Sequence, residues 1–359
     1  FGSLTTLRLF VSRELWEDDR TLPLGEHWPL YGYGIPIILF YLGARWLRSS
    51  GHEKSAMSLE GLSLGLAISL ASLEIRVLIG GGVTAESPQL LEMSAHILTW
   101  LGAAYGLLYR QRIYSSIIAS WGARVLIAAS VVAIIGGSML ALNPVLNWTV
   151  LQGGAVFNSL LLAYLAPAGL LWLIARGLLL INLERLRPHV EVLAVVLVTT
   201  FVSLEIKRLY NGPYLLLEPA DEVEQALLII AWLGLACGLV YRSNILSPLA
   251  ALWSGRALTA LSVAAIVLGS LFVFNPIVSE QPLHGNIVFN ALLLAYIAPI
   301  MLLGLIVRKL EVLDWLKFRP ALGALALVLA LTYITLETKR VFQGPSMVAW
   351  SLSIAESYA

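Results

Sequence analysis

Apolar residues run along this chain in blocks rather than alternating with polar ones, and the blocks are bounded by Gly, Pro, Asn or small clusters of charge. A helix needs about 20 such residues to cross the hydrocarbon core of a bilayer. Ten runs reach that length, at 28–48, 57–79, 89–109, 120–141, 156–178, 189–210, 221–241, 252–274, 287–308 and 320–342, with partial runs at 1–12 and 347–359. The pattern predicts an all-α polytopic integral membrane protein with ten complete crossings.

The connections between the runs carry an orientation signal. Lys and Arg gather on alternate connections: Arg45, Arg48 and Lys54, then Arg110 and Arg112, then Arg176, Arg185 and Arg187, then Arg242, then Arg308, Lys309, Lys317 and Arg319. By the positive-inside rule these face the cytoplasm. The intervening connections, 80–88, 144–154, 212–222 and 276–286, hold no Lys or Arg and are expected to face outward.

The runs also recur. Phe157-Asn-Ser-Leu-Leu-Leu-Ala-Tyr-Leu-Ala-Pro167 returns as Phe289-Asn-Ala-Leu-Leu-Leu-Ala-Tyr-Ile-Ala-Pro299, matching at 9 of 11 positions with an offset of 132. The same offset relates Glu92 to Glu224, Trp100 to Trp232, Arg124 to Arg256 and Asn143-Pro144 to Asn275-Pro276. A third copy is partial: Ser72-Leu-Glu-Ile-Arg76 corresponds to Ser203-Leu-Glu-Ile-Lys207 and to Thr335-Leu-Glu-Thr-Lys339. The implied organisation is the end of one unit at 1–56, complete four-helix units at 57–188 and 189–319, and the start of another at 320–359. Four crossings per unit make the repeats parallel rather than inverted. Pro36, Pro167 and Pro299 fall mid-run at equivalent places, and each is expected to kink its helix.

Composition agrees and narrows the field. Only 13% of the 359 residues are charged, against about 25% in soluble domains, and 58% are hydrophobic. A net charge of +1 without a basic cluster argues against nucleic acid as a partner. The single cysteine, Cys237, can form no internal disulfide and says nothing about redox compartment. The chain opens at Phe1 without Met and stops inside an apolar segment, so it is expected to be a piece of a longer protein.

Within the spans the few ionisable and amide residues gather at the outward end. Glu74, Glu205 and Glu337 close the first helix of each unit, followed by Arg76, by Lys207 and Arg208, and by Lys339 and Arg340. Glu92, Glu224 and Glu356 open the second helix, Asn143 and Asn275 end the third, and Asn158 and Asn290 begin the fourth. A charge in a span is costly and needs a partner or a purpose. One reading is an interhelical clamp, each cation neutralising carboxylates of the first two helices while the amides tie on the third and fourth. The other is an outward cavity for an ion, a lipid headgroup or an envelope precursor, helped by helix N-termini at that level.

Other candidates are thinner. His96 follows Glu92 by four residues on one face, but its counterpart is Leu228 and no further metal ligand is in view. Arg124 and Arg256 read as headgroup anchors at the inner face. There is no phosphate-cradling glycine loop, zinc spacing or nucleophile elbow, so no catalytic residue, metal or cofactor is expected.

The recurring Leu-Glu-Ile-(Arg/Lys) segment, with the Phe-Asn-x-Leu-Leu-Leu-Ala-Tyr-x-Ala-Pro helix, resembles a family of large bacterial multi-spanning proteins described as predicted membrane proteins of unknown function. The resemblance covers essentially the whole chain. It implies a bacterial inner-membrane location and further helices beyond those seen here, and it assigns no catalytic residue. The expected function is therefore a non-enzymatic envelope scaffold or assembly partner, contacting membrane lipids and other membrane or envelope proteins. The alternative is a transporter or lipid-handling protein with an outward polar site.

Overall fold

The computed structural model describes residues 28–79, 89–113, 116–148, 150–151, 153–154, 157–215, 221–242, 244–276 and 290–343. Two compact units divide the chain, one up to Arg187 and one from Pro188.

The first unit holds α1 (Trp28–Ser49), α2 (Glu53–Leu78), α3 (Leu90–Ile113), α4 (Ile117–Val132) and α5 (Ala166–Gly177). The second holds α6 (Arg187–Asn211, whose first residue belongs to the first unit), α7 (Glu222–Tyr241), α8 (Pro248–Ala265), α9 (Ala298–Arg308) and α10 (Arg319–Gln343). Each of the ten apolar runs overlaps one of these helices. Seven helical stretches among the described residues are long and apolar enough by themselves to cross a bilayer. The protein is an all-α polytopic membrane protein.

Helix starts follow local chemistry. Ser116 accepts the Ala119 N–H at the head of α4, Asp221 accepts the Glu224 N–H at 2.6 Å at the head of α7, and Pro248 opens α8, where its missing N–H costs nothing. In the first unit α3 is the central helix, packed on α2, α4 and α5. Its buried stripe of Ile97, Leu101, Ala104 and Leu108 keeps helical spacing. In the second unit Ile229, Leu233, Ala236 and Val240 form the same stripe on α7, 132 residues later. Around these cores large apolar side chains point outward, among them Val125, Val132, Leu268 and Met301, as a surface bathed in acyl chains allows. Because lipid is as apolar as leucine, packing and hydrogen bonds hold these helices together rather than hydrophobic transfer.

The expected proline kinks take a different form at two of the three sites. Five-residue π-turns, Leu161–Leu165 and Leu293–Ile297, lead into α5 and α9 just ahead of Pro167 and Pro299, and the Ala166 and Ala298 N–H groups close on Leu161 O and Leu293 O. A π-turn widens the helix where the proline ring removes a donor and crowds the preceding turn. At Pro36 the chain stays α-helical. Longer π-segments, Ala133–Ala141 and Ile266–Val273, continue α4 and α8. The buried Tyr164 and Tyr296 hydroxyls donate to Ser138 O and Ser270 O of those segments, at 2.7 Å in both cases. A buried phenol must find an acceptor, and a carbonyl with two lone pairs supplies one.

Candidate functional site

The polar residues expected at one end of each unit divide into three groups. The first is a pair of interhelical clamps. Arg76, at the end of α2, donates to both oxygens of Glu92, in the first turn of α3, at 2.7 and 2.8 Å. In the second unit the Lys207 ammonium, on α6, donates to Glu224, on α7, at 2.6 Å. The two carboxylates are sealed, each with a side chain 2% exposed, while the cations keep partial access to the surface. Each clamp is backed two turns along by an indole, Trp100 to Ser72 Oγ at 3.1 Å and Trp232 to Ser203 Oγ at 2.8 Å. The second helix of each unit thus grips the first at two depths.

The second group pairs within and around a single helix. Arg208 meets Glu205 at 3.3 Å, and Arg340 meets Glu337 at 3.5 Å, both three residues apart. Asn290 joins this group across helices: its amide donates to Glu337 on α10 at 3.2 and 3.4 Å, while its Oδ1 accepts the Leu293 N–H. Lys339 is buried on α10, and Glu74 is half-buried on α2. Glu356 lies outside the described residues.

In the third group the amides bond to their own helix ends, whereas Asn290 also makes the expected bond across helices. Asn143 works on its own helix end, accepting from Val145 N at 3.0 Å and donating to Met139 O at 3.1 Å. Asn275 donates to Leu271 O in the same way, and Asn158 accepts the Leu161 N–H at the head of its π-turn. Short amide side chains at helix ends readily reach the nearby backbone groups of the same turn. His96 sits 3.6 Å from Glu92 through Nε2, and its buried Nδ1 has no hydrogen-bond partner. Among the described residues no three His, Cys, Asp or Glu side chains converge as a metal site.

The opposite end carries a polar network of its own. Glu60, buried near the start of α2, is held between two guanidinium groups, Arg48 at 2.6 Å and Arg110 on its other oxygen. Glu191 is buried at the equivalent position of α6, where it accepts the Ser247 N–H at 2.6 Å and so caps α8. Arg124 and Arg256, expected at the headgroup level, donate to the Ile181 and Leu313 carbonyls. Those carbonyls precede Asn182 and Asp314, which take left-handed backbone angles of φ 55° and 49°. A turn of that kind leaves carbonyls exposed, and a guanidinium fork satisfies them.

The family described as "Predicted membrane protein (DUF2339)" matches residues 2–220 and again residues 179–358. The chain belongs to this family. The double match is consistent with an internal repeat, and the clamps, their indoles and the Arg124 and Arg256 contacts recur at offsets of 131 or 132 residues. No curated protein and no solved structure matches the chain.

For this member of the family, sequence reasoning missed Glu60 and Glu191. The signal was present, since the two are 131 residues apart and each precedes Glu74 or Glu205 by 14 positions. Fourteen residues is close to four helical turns, or about 21 Å. One face of α2, and one of α6, therefore carries a carboxylate near each end.

Proposed function

We propose that this protein is a non-enzymatic scaffold or assembly partner of the bacterial inner membrane, and that its layer of charged residues is structural glue. The observation that carries this is the state of Glu92 and Glu224, both sealed and both bonded to a cation of the neighbouring helix. A carboxylate sealed and committed in that way is poorly placed to bind an external ligand or to shuttle protons. The alternation of basic connections orients the Glu92 end outward and the Arg110 end to the cytoplasm. Near-equal copies of the same contacts also argue against catalysis, which needs one specialised acid, base or nucleophile. Partners of this reading are membrane lipids and other membrane or envelope proteins, reached through the outward connections.

Cross-linking of the full-length protein in native membranes, followed by mass spectrometry, tests the reading. Reproducible cross-links from the outward connections to the same few envelope proteins are expected. Cross-links only to abundant neighbours in proportion to their copy number would overturn it.

A further inference from the structure

We infer that the groove between α6 and α8 is a preformed site for one acyl chain of a glycerophospholipid, with the Ser254 hydroxyl donating to the lipid's ester carbonyl. The groove has a volume of about 510 Å³ and is walled by Val196, Thr199, Ala257 and Leu261, with Trp232 and Trp253 also lining it. It is a built feature. In the first unit Gly65, Ile68, Trp121 and Val125, the residues 131 or 132 positions earlier, line a groove of about 340 Å³ between α2 and α4. Polar contacts hold α6 at both ends of the gap: Glu191 on the Ser247 N–H at one, Lys207 on Glu224 at the other. Between them small and β-branched side chains leave the space unfilled.

The lining chemistry selects the occupant. Thr199 Oγ1 is spent on Val195 O, and Ser203 donates to Thr199 O while accepting the Trp232 indole, so these hydroxyls ask nothing of a ligand. Ser254 differs: it lines the groove, is 4% exposed, and its Oγ has no hydrogen-bond partner. A buried hydroxyl left unsatisfied is costly. Ser254 lies beside Trp253, whose ring meets His189 edge-on at 5.5 Å, in the aromatic and polar zone where a lipid's glycerol esters sit. From Val192 to Leu204 the groove follows thirteen residues of α6, about 18 Å of helix, close to the roughly 15 Å of one leaflet's hydrocarbon. An apolar slot one leaflet deep, with one hydroxyl donor at its headgroup end, fits a single ester-linked chain.

The test titrates 1-palmitoyl-2-oleoyl phosphatidylglycerol into the delipidated full chain in detergent and counts retained lipid by native mass spectrometry. Ala257→Trp fills the groove from an exposed position and is expected to remove one bound lipid, weakening that site by at least about tenfold. Ser254→Ala is expected to weaken it several-fold. Ala260→Trp, exposed on the same helix but outside the groove, is expected to bind as wild type. Wild-type retention by Ala257→Trp, or equal loss in both Trp variants, would overturn the inference. So would unchanged lipid binding with a dimer split by Ala257→Trp, which would assign the groove to a helix of a second copy. If Ala257→Trp fails to fold, Leu261→Trp, at a lining position 45% exposed, makes the same test.

Discussion

Removing the cation from the second clamp gives the sharpest test of how this bundle is held. Lys207→Met keeps most of the side-chain length but leaves the Glu224 carboxylate, 2% exposed, without its 2.6 Å partner. Breaking a buried ion pair by deleting one member costs about 3–5 kcal/mol, since the surviving charge stays desolvated. Lys207 is 24% exposed, so solvent screens part of the pair and the expected loss falls to about 2–3 kcal/mol. For a unit of this size that corresponds to a fall in midpoint of about 5–10 °C. The chain offers its own reporter, because its one cysteine, Cys237, is buried on α7, the helix that carries Glu224. A thiol-reactive fluorogenic maleimide, added to the purified protein in detergent during a thermal ramp, reads the opening of that helix. The double variant Lys207→Met with Glu224→Leu removes both charges and is expected to recover most of the loss. An unchanged midpoint for Lys207→Met, or a double variant no better than the single, would refute the clamp.

Three further outcomes follow from the geometry. Glu60→Gln leaves the Arg48 and Arg110 guanidinium groups facing each other across a neutral amide; with both arginines partly exposed, a loss of about 1–2 kcal/mol is expected in thermal unfolding followed by circular dichroism. Tyr296→Phe deletes the hydroxyl bound to Ser270 O and should cost about 1–2 kcal/mol, with faster amide exchange confined to the π-segment Ile266–Val273; uniform exchange across α8 would contradict a local role. Gly153 has φ 103°, and a Cβ there would lie 2.6 Å from Phe157 O and 2.8 Å from Asn158 Cα. Gly153→Ala should therefore lower stability by about 1–3 kcal/mol, whereas an unchanged midpoint would show that the turn relaxes freely.

Much of the fold was legible because membrane helices announce themselves locally. Twenty apolar residues in a row can satisfy their backbone in lipid only as a helix, whatever surrounds them, so each predicted run could be read without knowing its neighbours. The polar end was legible in part. That Glu92 and Glu224 need partners follows from their position inside spans, but which cation serves Glu224 does not: Lys207 and Arg208 are adjacent, about 100° apart around α6, and both were candidates. The asparagines are ambiguous from sequence because one side chain serves cap and interhelical bond alike, and Asn290 makes both.

The sequence alone determined the helices, their alternating orientation signal and the register in which residues recur 131 or 132 positions apart. These depend on hydropathy, charge and spacing, which are properties of the chain itself. Tertiary structure decided which polar groups meet: Lys207 rather than Arg208 on Glu224, Arg48 and Arg110 together on Glu60, and Arg124 and Arg256 on the Ile181 and Leu313 carbonyls. It also decided that α6 stands far enough from α8 to leave a groove. The reason is rotational. A helix's composition says that it will cross, while the angle about its own axis and its height against its neighbours set every contact, and both are fixed only when all the helices have packed.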